Sequence, residues 1–242
     1  GDYPLCALRR QVELSEADRY LGASVMEPDT RIAVNEKGFC QKHQKMLFAA
    51  QNRLGHALML QTHLRETQHR LDKPLHALRK AARAYGETSM LDRMTAKGQA
   101  AKKDMADAAS AIAALSHTCI LCDSVDESMK RYLHTFFHLY KTDAEFRTRL
   151  ADSKGFCLPD TALLIAAAPE ELSAKETAAF TELILDLTEK NLTRTQEDID
   201  WFIKKYDYRF DGEPWKNSRD AVERTVNKLR GWCIGQEPNP QK

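Results

Sequence analysis

Glycine and proline are scarce in this chain of 242 residues, at ten and eight. β-Branched apolar residues are few as well: Val and Ile together number 14, against 57 Ala and Leu. The first scarcity excludes collagen-like and low-complexity chains. The second points to helix, where Ala and Leu lose little side-chain freedom. No Gly/Ser linker and no convincing strand pattern is present. No run approaches the ~18 consecutive apolar residues of a membrane span, so no membrane partner is expected. Neither charge dominates: 36 Lys and Arg face 35 Asp and Glu, for a net charge of +1. That balance argues against a dedicated nucleic-acid binder. The phosphate-binding loop, Gly-x-Gly-x-x-Gly, His-Glu-x-x-His and Gly-x-Ser-x-Gly are all missing, as is the pair of Glu-x-x-His motifs of di-iron bundles. The opening Gly1-Asp2-Tyr3-Pro4 has neither the basic nor the apolar stretch of a signal peptide, so a cytoplasmic location is expected, though a mature exported chain would lack one too.

What is present is a 43% hydrophobic, all-α pattern in which five of six cysteines form a motif that occurs twice. The first copy runs from Tyr3-Pro4-Leu5-Cys6 to Lys37-Gly38-Phe39-Cys40-Gln41-Lys42-His43. The second runs from Cys119-Ile120-Leu121-Cys122 to Lys154-Gly155-Phe156-Cys157-Leu158-Pro159-Asp160. Arg-Tyr-Leu stands between the landmarks in both, at 19–21 and 131–133. Self-similarity at this spacing indicates a duplicated unit of about 50 residues. The expected organisation is a single helical domain over 1–242. The first copy spans about 3–55, the second about 119–170, and C-terminal helices about 171–232. Gly38 and Gly155 suit the left-handed residue that stops a helix. A long Leu-rich helix is expected from about Met46 through Leu47, Leu54, Leu58, Leu64, Leu71, Leu75 and Leu78, kinked at Pro74 or restarted there as a new helix, and ended by Gly86. Further helices are expected at 88–116, from Pro169 to about 190, on to about Lys205, and at 218–230, with a polar tail at 236–242.

Cysteines two residues apart let one turn direct both thiolates at a single ion, and a second such turn completes a tetrahedral site. Within the second copy this gives Cys119, Cys122, Cys157 and Asp160. Within the first it gives Cys6, Cys40 and His43, with Tyr3 where the second copy has Cys119. Zinc is the expected ion, since thiolate ligands select against magnesium and calcium. Three ligands with an open position describe either a catalytic zinc or a decayed site. The competing readings are a redox Cys-x-x-Cys, disulfides in an exported protein, and plain buried thiols. Cys233 has no counterpart.

Other candidates read as structural. His56, His63, His69 and His76 fall on different helix faces in pairs and do not form one ligand set. His134 and His138, at i and i+4, flank a packed stripe at Phe136 and Phe137 more naturally than a metal. The basic stretch from Arg65 to Arg83 is a solvated face. The segment Tyr206–Trp215 is either a binding loop or a loop pinned by its aromatics, and the second reading is favoured.

The Cys-x-x-Cys start, the Gly-Phe-Cys-x-x-His turn with Asn52-x-Leu54-Gly55-x-Ala57-Leu58 after it, and Lys205-Tyr206-Asp207-Tyr208-Arg209 with Glu213-Pro214-Trp215 resemble an uncharacterised bacterial family, domain of unknown function 6062. The resemblance covers nearly the whole chain and implies a cysteine-rich helical protein of unknown biochemical role. The family's turns usually read Cys-Pro-x-Cys and end in His, so Tyr3 and Asp160 are departures. The expected function is a structural zinc in a helical protein that binds another protein. The alternatives are a metal- or thiol-dependent enzyme using the open first-copy site, and a thiol redox protein.

Overall fold

The computed structural model describes residues 3–88 and 96–235, the side chain of Lys97 excepted. Among these it is all α, with ten helices and no strand. They are α1 Pro4–Leu21, α2 Pro28–Lys37, α3 Gln41–Ala49, α4 Arg53–Gly86, α5 Ala96–Ala114, α6 Ile120–Thr142, α7 Ala144–Ala151, α8 Leu158–Glu171, α9 Ala174–Lys204 and α10 Ala221–Arg230. The helix expected at 88–116 is described from Ala96 as α5. Residues 89–95 of it, and the tail at 236–242, lie outside the described residues. The chain forms two compact units, Glu13–Asp126 and Gly1–Val12 with Glu127–Lys242.

In the unit Glu13–Asp126, α5 packs along α4, and α2 packs on α4. The core holds Tyr20, Val34, Leu47, Met59 and Leu121, all nearly inaccessible to solvent. The Leu stripe predicts one helix from Met46 onward, but the chain breaks between α3 and α4. Gln51 adopts φ 64° there, and Asn52 caps α4 by accepting from Gly55 N at 3.0 Å. Asn52 Nδ2 donates to Leu21 O at 2.6 Å. A Cβ on Gly55 would sit 2.8 Å from that same carbonyl. This close approach sets which face of α4 is covered, so Gly55, His56 and Met59 are buried while Leu54 and Leu64 are 72% and 60% exposed. Pro74 does not break α4. The hydrogen bond it removes would end on the carbonyl of Arg70, an exposed position open to solvent.

The other unit is centred on aromatic rings. Phe137 and Phe180 are fully buried with centroids 5.1 Å apart. Phe136 meets Phe146, Phe156 and Phe180 edge to face, and Tyr140 meets Phe180 at 5.0 Å. Pro169 lies inside α8 and does not open a helix. The start belongs to Ser173, whose side chain and that of Glu176 form a reciprocal capping box, and from there α9 runs unbroken for 31 residues. The expected division near residue 190 is absent, because no Gly or Pro interrupts α9. The segment after α9 is pinned. The buried Lys205 Nζ donates to the carbonyls of Phe210, Asp211 and Glu213 at 2.7, 2.8 and 2.7 Å. Trp201 Nε1 donates to Pro214 O at 3.0 Å, and the ring of Trp215 packs against Phe202 and Tyr206.

Replacing Lys205→Met removes the donor from three carbonyls at once. It is expected to cost about 1–3 kcal/mol in urea unfolding. Lys205→Arg is expected to restore little of it, because a planar guanidinium cannot match three converging carbonyls.

Candidate metal centre

Four of the seven predicted ligands meet in the unit Glu13–Asp126: Cys40, His43, Cys119 and Cys122. Two helix starts present them. Cys40 is the N-cap of α3 and His43 lies in its first turn, with Gln44 N donating to Cys40 O at 2.8 Å. Cys119 precedes α6, its carbonyl accepting from Asp123 N at 3.2 Å and its Sγ from Cys122 N at 3.4 Å. Unpaired N–H groups at a helix start favour an anion there, so both turns suit thiolates.

Backbone bonds hold the two starts together. Ile120 N donates to Gly38 O at 3.0 Å, and Thr118 Oγ1 donates to Lys37 O at 2.7 Å. Lys37 Nζ reaches Asp123 at 2.5 Å. Gly38 is bound to this geometry. Its φ of 61° with ψ of −155° is glycine territory, and a Cβ would lie 2.4 Å from His63 Nε2. His63 is itself fixed by a hydrogen bond from Nδ1 to Asn35 O at 3.0 Å.

The donor atoms converge as a ligand set would. His43 Nδ1 lies 3.3 Å from Cys40 Sγ, 3.3 Å from Cys119 Sγ and 3.4 Å from Cys122 Sγ. Cys40 and Cys122 Sγ are 3.8 Å apart, and all four atoms lie within 4.8 Å of one another. A tetrahedral ion with metal–sulfur bonds of about 2.3 Å and a metal–nitrogen bond of about 2.0 Å needs edges of about 3.8 Å and 3.5 Å. His43 Nε2 is buried without a hydrogen-bond partner and faces Glu13 Oε1 at 3.7 Å. Glu13 is itself buried and paired with Lys42. If Nδ1 binds an ion, Nε2 keeps its proton and directs it at this carboxylate, the support a ligating histidine ordinarily receives.

Electrostatics favour the ionised forms of Cys119 and Glu13 and oppose that of Cys122. Burial works against the Cys119 thiolate, yet His43 and nearby backbone N–H groups hold its pKa down at about 6. Burial likewise disfavours imidazolium, but Cys119 and Glu13 raise His43 to about 9. Burial also opposes ionisation of Glu13, but His43 and Lys42 lower it to about 2. Burial, together with the Cys119 and Cys40 sulfurs, pushes the Cys122 thiol up strongly. These sulfurs repel one another as thiolates unless a cation sits among them.

The other three predicted ligands meet in the second unit. Cys6 S–H donates to Asp160 Oδ2 at 3.2 Å, and Cys6 and Cys157 Sγ are 3.7 Å apart. Each turn motif therefore partners with the helix start of the other copy. Cys157 and Asp160 stand with Cys6 rather than with Cys119 and Cys122. Cys40 and His43 stand with Cys119 and Cys122 rather than with Cys6. The reason is local: Gly38 and Lys37 accept from Ile120 and Thr118, which brings the Cys119 turn onto the Cys40 turn. Spacing alone carries no sign of this exchange.

His56 is buried and hydrogen-bonded to Gln44 at 2.7 Å, and His134 is exposed beside Glu171. Glu13, placed behind His43, had no sequence signal, being one of three acids in α1 with Glu16 and Asp18. Cys233 is exposed.

The family of unknown function DUF6062 matches residues 1–236. The chain belongs to this family. No curated protein and no solved structure matches it. This DUF6062 chain brings a cysteine/histidine cluster compatible with a metal to the question of function.

Gly38→Ala is expected to destabilise the protein by about 2–4 kcal/mol, combining backbone strain with the clash on His63. Gly155→Ala, at φ 63° but with neighbours no nearer than 3.6 Å, should cost only the strain, about 1–2 kcal/mol. Denaturant midpoints of the two variants check the order.

Proposed function

We propose that this DUF6062 protein is a zinc-stabilised helical scaffold in which Cys40, His43, Cys119 and Cys122 hold one structural zinc. The observation that supports this most is the buried His43 Nδ1 set 3.3–3.4 Å from three thiols, with Glu13 behind the ring. Three sulfurs and an imidazole nitrogen form a closed set, which is the mark of a structural rather than a catalytic zinc. The ion would tie the start of α3 to the start of α6, and its binding free energy would add to folding. A reducing cytoplasm would keep the thiols available to it.

The scaffold reading includes a protein partner. Phe48, Leu54 and Leu64 are large apolar side chains exposed on the unit that carries the cluster, and no catalytic motif competes for the role. The enzyme reading needed Cys6, Cys40 and His43 around one open-sided ion, and Cys6 belongs to the other cluster. The redox reading keeps Cys119 and Cys122 as its pair, and it is separated from zinc by experiment.

Protein purified under reducing conditions without chelator should carry at least one zinc per chain by element analysis. Stripping it should lower the melting temperature by about 10 °C or more. Cys122→Ser should lose one equivalent of zinc. Absence of zinc, with ready oxidation of Cys119 and Cys122 to a disulfide, would establish the redox reading instead.

A further inference from the structure

The second cluster has the same backbone frame as the first, built from different side chains. Gly155 has φ 63° where Gly38 has 61°. Cys157 caps α8 with φ −71° and ψ 161°, as Cys40 caps α3 with −68° and 166°. Thr161 N donates to Cys157 O at 2.8 Å, the counterpart of Gln44 N to Cys40 O at 2.8 Å. On the partner side, Ala7 N donates to Tyr3 O at 2.9 Å, as Asp123 N does to Cys119 O. Register therefore places Tyr3 at the position of Cys119, Cys6 at that of Cys122, Cys157 at that of Cys40 and Asp160 at that of His43. Exchange between copies puts both departures from the motif, Tyr3 and Asp160, into this one cluster and leaves the other intact.

The Tyr3 hydroxyl does not take the lost thiol's place, because it donates to Arg224 O at 3.2 Å. Three donors remain: the Cys6 and Cys157 sulfurs 3.7 Å apart, and Asp160 Oδ2 at 3.2 Å from Cys6. They lie within 4.8 Å of one another, and among the described residues no fourth ligand joins them. Two further observations point to an ion. Asp160 is buried, with the Cys6 thiol as its hydrogen-bond partner, and a carboxylate taken out of water needs a counter-charge. Trp232 N donates to Cys6 Sγ at 3.4 Å, the kind of amide contact that supports a ligating thiolate.

We propose that Cys6, Cys157 and Asp160 form a second metal site, which holds a divalent transition ion through two thiolates and one carboxylate and leaves one position to an exchangeable ligand. Two sulfurs and an oxygen suit a borderline ion such as zinc, iron(II) or cobalt(II), and not magnesium or calcium. With one thiolate fewer and a carboxylate for imidazole, the site releases its ion more readily than the first. The chain then carries one fixed ion and one exchangeable ion on matching frames. This inference uses none of the residues of the proposed structural zinc, and either can fail without the other.

Cobalt(II) titration of the full-length, reduced apoprotein tests it. The expected result is two equivalents bound in sequence. The second should add sulfur-to-cobalt charge-transfer absorption about two-thirds that of the first, for two thiolates against three. Asp160→Asn should abolish the second equivalent and leave the first. Asp160→His, which restores the ligand of the intact cluster, should slow transfer of the second ion to a competing chelator by about tenfold or more. Tyr3→Cys with Asp160→His should yield two ions of similar retention. A single equivalent bound by the wild type and retained in Asp160→Asn would overturn the proposal, whether Cys6 and Cys157 are found as free thiols or as a disulfide. So would a second equivalent that adds no charge-transfer absorption, or that survives in Asp160→Asn. Loss of the first equivalent with the second retained would overturn the structural-zinc reading instead.

Discussion

Everything distinctive in the unit Glu13–Asp126 depends on two helix starts being held face to face. The hydrogen bond from Ile120 N to Gly38 O and that from Thr118 Oγ1 to Lys37 O set the register. Gly38 makes the approach sterically possible, and His63 fills the space that a side chain there would need. Once those bonds form, three thiols and an imidazole converge within 4.8 Å of one another, an arrangement compatible with a metal ion. On the proposed zinc reading, metal binding and backbone geometry are one constraint: the ion would stabilise the junction, and the junction pre-forms the site. Glu13 extends the constraint to α1, because its carboxylate sits behind His43 and is fixed by Lys42.

The two clusters show how one frame supports different chemistry. At both, a glycine of positive φ leads into a cysteine that caps a helix, and a ligand follows one turn on. The side chains then decide the behaviour. On the proposed reading His43 with three thiols would close a tetrahedron, whereas Asp160 with two thiols would leave it open, since the Tyr3 hydroxyl is committed elsewhere. Our functional reading, a scaffold with one fixed ion and one exchangeable ion, follows from that contrast.

The helical class was legible because Ala and Leu so outnumber Val and Ile, and the residues that gather in the two clusters stood out because the Cys-x-x-Cys start and two Gly-Phe-Cys turns punctuate the chain. Their partnership was not. Spacing along a chain says which residues share a turn, but the partner of each turn depends on tertiary hydrogen bonds such as Ile120 N to Gly38 O. Helix boundaries failed for similar reasons. Pro74 and Pro169 read as interruptions, yet both sit inside helices, while the Ser173–Glu176 box that starts α9 was overlooked. The Leu stripe of α4 indicated a helix but not which face of it is covered. Packing at Gly55 against Leu21 O, invisible to periodicity, turns Leu54 and Leu64 outward.

The central claim is that Cys40 and His43 share an ion with Cys119 and Cys122. Zinc X-ray absorption spectroscopy on the Cys6→Ser, Cys157→Ser double variant tests it most directly, because that variant removes every sulfur of the other cluster. The account predicts zinc retained with three sulfurs at about 2.3 Å and one imidazole nitrogen at about 2.0 Å. Zinc lost, or held by two sulfurs with oxygen ligands, would contradict it and show that each copy of the motif builds its own site.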